Sequence, residues 1–264
     1  MAGHSKWANI KHRKAAKDAK KGVAYAKCSR ELMMAAKIGG DDPAGNFRLR
    51  TAIDRAKSAG LPNDTIQRAI DKGAGKLESE QMETVIYEGY GPGGVAVFIE
   101  TMTDNRNRTA GDIRSYFNKY DGNLGSDGCV AWMFEEQGAV DVTPPDAICH
   151  AELFDDALLD AVANAGGQDV VALDDDSDIH HPKARRVVTA PSELNAVAEA
   201  LNQAGFTVHS AELIRVTDNE APLTDAGQVK QFLKLFDAID GHDDVQSVVT
   251  NAAVDESILA ELEG

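Results

Sequence analysis

Apolar positions in the first third of the chain recur at three- and four-residue spacings. In GVAYAKCSRELMMAAKIGG, Tyr25, Cys28, Leu32 and Ala35 fall on one side of a helix that stops at Gly39-Gly40. NFRLRTAIDRAKSAG repeats the pattern with Leu49, Ile53 and Ala56 and ends at Gly60. LPNDTIQRAIDKGAG starts a short third helix near Asn63, with Ile66, Ala69 and Ile70 inward. Three such segments on short Gly/Pro connections predict a helical domain over residues 1–78.

The pattern then changes. TVIYEGY and VAVFIETMT read as strands bracketing the turn Gly91-Pro92-Gly93-Gly94. Thr109, with Asp112 three residues on, is placed as the N-cap of a helix carrying Ile113, Tyr116 and Phe117, and CVAWMF as a third strand. From Gly138 the order becomes GAVDVT, a helix from Pro145 to Ala165, DVVAL, RRVVTA, the helix SELNAVAEALNQAG, and TVHSAELIRV. Strand-helix-strand-strand-helix-strand is the ferredoxin-like arrangement. A late helix with Val229, Phe232, Leu233, Phe236 and Ile239 in a stripe, and a last strand VQSVVTN, would complete the earlier sheet. The expected fold class is therefore a multidomain α+β protein, with an N-terminal three-helix domain followed by two ferredoxin-like α+β domains. The third of these (138–216) is expected to be inserted in the second (79–137 plus 217–255).

Charge changes this picture by dividing it. The 264 residues net −16, yet residues 1–76 hold 17 Lys and Arg against 7 Asp and Glu, so the remainder nets −26. The basic excess is densest at the head, where Lys6, Lys11, Arg13, Lys14, Lys17, Lys20 and Lys21 surround a lone Asp18. On a helix, Lys11, Arg13, Lys14, Lys17, Lys20 and Lys21 spread over half the circumference and Ala15, Ala16 and Ala19 take the other side. Burying three methyl groups contributes at most about 2–3 kcal/mol, against an ordering cost of roughly 1–2 kcal/mol per residue. The arm is expected to stay mobile until a polyanion neutralises it. It lacks the apolar face of a membrane-surface helix, so nucleic-acid phosphate is the natural counterpart. Lys27, Arg30, Arg48, Arg50, Arg55, Lys57 and Arg68 are expected to extend the positive surface.

Other chemistry is sparse. Cys28, Cys129 and Cys149 are odd in number and far apart, which suits buried thiols in a reducing compartment better than disulfides or zinc. No apolar run is long enough to span a bilayer and no secretory core opens the chain, so a cytoplasmic location is expected. The 91–94 turn lacks the G-K-[ST] of a phosphate loop. Asp174, Asp176 and Asp178 alternate as in a calcium loop, but Ile179 stands where glycine is needed, and His180-His181 point apart on an extended segment. No triad, H-E-x-x-H or G-x-S-x-G pattern is present, so no enzyme, cofactor or metal is expected. A metal-dependent nuclease would have to use Asp174 and Asp176. In Asp104-Asn105-Arg106-Asn107-Arg108, two arginines ahead of a helix start could grip phosphate bidentately, or could equally form a capped turn paired with the acidic body.

GHSKWANIKHRK, LPNDTIQRAIDKGAG, YEGYGPGGVAV and TDNRNRTAGDIR, followed by GNLG and VAW, together resemble the YebC/PmpR family, relatives of the mitochondrial translational activator of cytochrome c oxidase. The resemblance runs along essentially the whole chain. It implies a helical N-terminal domain plus two α+β domains, and a role as a DNA-binding transcriptional regulator or as a ribosome-associated factor that assists synthesis through proline-rich stretches. LFDDALLDAV and DDDSDIHHPKARR depart from the usual pattern in length and charge.

The residues expected to meet nucleic acid, whether promoter DNA or ribosomal RNA, are His4, Lys6, Trp7, Lys11, His12, Arg13, Lys14, Lys17, Lys20, Lys21, Lys27, Arg30, Arg106 and Arg108. Trp7 and His12 are the candidates to stack on an exposed base. The acidic domains would be repelled by bare duplex and suit a protein partner; no membrane contact is expected.

Overall fold

The computed structural model describes residues 20–78, 82–144, 151–173, 179, 181, 183–255 and 258–259. Among the described residues three helices come first: α1 (Lys20–Gly39), α2 (Phe47–Ser58) and α3 (Asn63–Gly73). Leu32, Ala35, Ala36, Leu49, Ala52, Ala56, Leu61, Ile66, Ala69 and Ile70 form their core, with Tyr25, Cys28 and Ile53 packed on it, as the periodicity predicts. Asn46 fixes the α1–α2 corner. Its Oδ1 caps α2 by accepting from the Leu49 N–H at 3.0 Å, and its Nδ2 donates to the carbonyls of Ala35 and Gly40 at 2.8 and 2.7 Å. Gly73 lets α3 approach α1, because a Cβ there would run into the Met33 carbonyl.

The next unit is built on the sheet order β3-β1-β2-β9, from β1 (Glu83–Tyr90), β2 (Ala96–Thr103), β3 (Asn123–Leu124) and, much later in the chain, β9 (Val245–Thr250), all antiparallel. The β1–β2 turn is the expected tight one, with Gly93 and Gly94 at φ 71° and 77°, where a side chain would be strained. Helices α4 (Arg106–Lys119) and α7 (Ala226–Asp240) cover one face, where Val85, Val97, Ile99, Ile113, Phe117, Val229, Phe232, Leu235, Phe236 and Ile239 are buried together. The late helix and strand do complete the first sheet, but the unit is not the expected ferredoxin-like one, because β1 and β2 pair as a hairpin before α4 instead of being separated by it. Leu235 is fully buried there and Leu233 only partly, so the stripe is rotated slightly from the expected one. A short parallel pair, β8 (Ala221–Leu223) with β10 (Ala252–Val254), closes the edge of this core.

Two local expectations are corrected. Asn105, not Thr109, caps α4: its side chain accepts from the Arg108 N–H at 3.1 Å, and Thr109 is buried inside the first turns. CVAWMF is not a strand, because Ala131–Met133 form a 3-10 turn. The reason lies in Glu88, a buried carboxylate on β1 that accepts the N–H groups of Gly128, Val130 and Ala131 at 2.7, 2.8 and 2.7 Å. Those amides are spent on one carboxylate and cannot enter a ladder.

Between the two halves of this unit run β4 (Glu135–Thr143), α5 (Ala151–Ala165), β5 (Asp169–Ala172), β6 (Arg185–Thr189), α6 (Leu194–Gln203) and β7 (Thr207–Val216). The strands order β5-β6-β4-β7, every neighbour antiparallel. Val140, Val142, Phe154, Leu158, Val162, Val187, Val197, Leu201 and Phe206 make a separate core under α5 and α6. Strand β4 starts at Glu135, three residues before the expected Gly138, since Glu135 already pairs with Val216. The stretch 145–150 expected to open α5 lies outside the described residues, with Cys149. Among the described residues no helix is long and apolar enough to cross a membrane.

Candidate nucleic-acid interface

His4, Lys6, Trp7, Lys11, His12, Arg13, Lys14 and Lys17 lie outside the described residues, and Lys20 and Lys21 are described only as the first turn of α1. The remaining candidates are brought together by the fold, though not on an open basic face.

Lys27 and Arg30 project from α1 against the loop that follows α7. The Lys27 Nζ donates to the Asp240 carbonyl at 2.8 Å and to its Oδ1 at 2.9 Å. Arg30 donates to the Asp243 carbonyl and, at 2.9 Å, to Asp244 Oδ1. From the other side Arg108 Nη2 reaches Asp244 Oδ2 at 3.0 Å and Asp104 Oδ1 at 2.7 Å. Thr109 Oγ1 donates to Asp244 Oδ2 at 2.8 Å, and the Thr103 hydroxyl lies 3.2 Å from the same oxygen. One carboxylate, its side chain 3% exposed, therefore ties α1, the start of α4 and the end of β2 together. Burial alone would raise the Asp244 pKa; the Thr109 and Arg108 hydrogen bonds and the charges of Arg108 and Arg30 outweigh it and hold the carboxyl below its ordinary value. Arg108 is correspondingly raised, chiefly by its bonds to Asp244 and Asp104. Arg106 is exposed, its carbonyl accepting from Tyr87 Oη at 3.1 Å.

Arg48, Arg50 and Arg55 of the helical unit are engaged as well. Arg48 holds Glu31 with two bonds, at 2.9 and 3.2 Å. Arg50 donates to the carbonyls of Pro43 and Ala44, and Arg55 reaches Glu212 of β7 at 2.8 Å. The expected extension of the positive surface is thus largely paired with carboxylates and carbonyls, while Lys57 and Arg68 are exposed. A further joint links the two sheets: Arg215 donates to Glu100 at 3.2 Å and Glu136 at 2.6 Å, and its guanidinium stacks 4.5 Å from the Phe98 ring centroid.

Sequence reasoning missed Asp244, Glu88 and Trp132. Trp132 is 71% exposed on the turn that Glu88 braces, its indole N–H donating to the Cys129 carbonyl at 3.1 Å. Hydrogen bonds from three backbone N–H groups keep Glu88 ionised more readily than usual despite its burial. The Cys28 and Cys129 thiols are raised by burial, as befits inert side chains. Asp141 is committed to Arg186 (2.7 and 2.8 Å) and Ser210 (3.0 Å), a structural network. Among the described residues no group of three His, Cys, Asp or Glu could hold a metal; Asp174, Asp176, Asp178 and His180 fall outside them.

Two family models match the chain. The TACO1/YebC protein N-terminal domain covers residues 5–76 and the TACO1/YebC second and third domain covers residues 82–252. A probable transcriptional regulatory protein of Shewanella oneidensis is 48% identical over 99% of this chain and 100% of its own, and one of Desulfitobacterium hafniense is 46% identical over 98% of each. The crystal structure of a conserved hypothetical protein from Aquifex aeolicus matches with a TM-score of 0.76 and 41% identity, covering 97% of this chain and 99% of that one. With both models accounting for nearly its full length, the chain belongs to the TACO1/YebC family.

Proposed function

We propose that this protein is a non-enzymatic, cytoplasmic regulator of gene expression that binds nucleic acid through its basic head, residues 4–30. The observation that carries this reading is the division of charge, +10 in residues 1–76 and −26 beyond them. A cationic segment of this density attracts phosphate and releases counterions, while the acidic remainder is repelled by the same polymer. Relatives named as probable transcriptional regulators support the regulatory role.

Two targets fit: promoter DNA and the ribosome. The pairing of Lys27, Arg30, Arg48 and Arg55 with carboxylates favours the second, because it engages the basic residues that α1 and α2 would need to read a major groove. Phosphate contact positions a protein without specifying sequence, as binding to structured RNA requires. Crosslinking in cells distinguishes the targets: recovered ribosomal RNA supports the ribosome-bound reading, enriched promoter fragments the transcriptional one, and recovery of neither overturns both.

In domain terms, we read residues 138–216, extended to the start of β4 at Glu135, as a ferredoxin-like unit inserted into the unit formed by 79–134 and 217–255. Separate apolar cores and the antiparallel order β5-β6-β4-β7 support this division.

A further inference from the structure

Charge-assisted hydrogen bonds join the helical unit to the acidic body. The helical unit's apolar cluster is drawn wholly from residues 25–70, and the body's clusters hold none of these. Among the bonds that join them are Lys27 to Asp240, Arg30 to Asp244 and the Asp243 carbonyl, Lys37 to the Met82 carbonyl, and Arg55 to Glu212. Beside the seam an open groove of about 810 Å³, lined by Met33, Met34, Lys37, Lys72, Met82 and Met102 among others, keeps α1 and α3 off the ends of β1 and β2. Guanidinium and ammonium groups that grip carboxylate oxygens are chemically equipped to grip phosphate oxygens.

We propose that the face of α1 and α2 bearing Lys27, Arg30 and Arg55 is a latent extension of the head's surface for the sugar-phosphate backbone, closed in the free protein by Asp240, Asp244 and Glu212 standing where phosphates would stand. This rests on the nucleic-acid reading above. The head captures the polymer, and its phosphates then compete with three carboxylates at close range. Exchange conserves the charge-assisted bonds on the basic side. It also moves an acidic body away from a polyanion, relieving like-charge repulsion. The closed seam therefore acts as an intramolecular competitor that raises the threshold for binding.

Salt-dependent binding of the full chain to fluorescein-labelled polyuridine and polythymidine tests it, with Asp240→Asn/Glu212→Gln as the opening variant. Asp156→Asn/Asp160→Asn, two exposed carboxylates of α5, is the charge-matched control. The opening variant is expected to bind at least tenfold more tightly at low salt. Its log Kd against log salt should keep the wild-type slope, because wild type makes the same two phosphate contacts, about 0.7 each on a single strand and ~1.4 together, once the carboxylates are displaced; the control should move neither. Preference for polyuridine marks RNA as the source of the phosphates, and equal binding marks the backbone alone. An unchanged opening variant, or a control that gains as much, overturns the seam while leaving the head's binding intact. Should Lys11, Lys14 and Lys17→Ala leave wild-type affinity unaltered while the opening variant still gains, the head reading falls and the seam stands. If the opening variant does not fold, Lys27→Gln/Arg55→Gln carries the test, with weaker binding and a slope shallower by a similar ~1.4 expected, and no change overturning the proposal.

Discussion

Arg30 and Asp244, 214 residues apart in the chain, meet at 2.9 Å, and through this one carboxylate α1 is fastened to the loop that leads into β9. Removing the acceptor would take one carboxylate partner from both Arg30 and Arg108 and leave the buried hydroxyls of Thr103 and Thr109 without theirs. Asp244→Ala is therefore expected to cost about 3–5 kcal/mol. Urea unfolding should show a lower midpoint with a similar slope; a midpoint within error of wild type would refute the clamp.

Exposure separates the seam's pairs. Arg55 and Glu212 are 50% and 34% exposed, against 16% and 3% for Arg30 and Asp244. A double-mutant cycle should give Arg55–Glu212 a coupling below about 1 kcal/mol. The Arg30–Asp244 coupling should be clearly larger, and equal values would contradict the structure.

Asp244 and Glu88 both titrate below their ordinary values of 3.8 and 4.5. The unfolded chain then takes up protons first on acidification, so their contribution is complete above about pH 5 and lost as pH falls through 4 and below. Thermal melts should show Tm falling over that range, less steeply in Glu88→Gln. A Tm that is flat down to pH 3 would count against both assignments.

Glu88 also braces its loop. In Glu88→Gln the bonds from Gly128, Val130 and Ala131 lose their charged acceptor, and those amides should exchange with solvent about tenfold faster or more. Exchange that is unaltered there would show the loop to be held by other contacts.

Gly73→Ala places a methyl against the Met33 carbonyl. Overpacking of that kind typically costs roughly 1–3 kcal/mol, and circular dichroism should report a destabilised helical unit. A stability equal to wild type would mean that α1 and α3 can separate freely.

The helices and most strands were legible because each has a buried face with the period of its own structure: Ile66, Ala69 and Ile70 on α3 and Val140 and Val142 on β4 needed no tertiary knowledge. CVAWMF misled because its apolar content suits a strand, while the acceptor that bends it, Glu88, lies more than forty residues earlier in sequence. Thr109 has the composition of a cap but is taken inward by Asp244. Charge was legible in amount, not in disposition. Nothing in DGHDDV announces that its aspartates will meet Lys27, Arg30 and Arg108, since the partners come from other elements and the pairing depends on how the helical and second units close. The parallel pair β8–β10 is too short for any periodic signal.

Retention of the full-length protein on ribosomal RNA at low ionic strength, wild type against Lys11, Arg13, Lys14 and Lys17→Ala, probes the account most directly. It predicts that the variant keeps the wild-type fold and loses nearly all retention, with the salt slope falling by about 0.7 for each cation removed. Retention equal to wild type, with an unchanged slope, would contradict it.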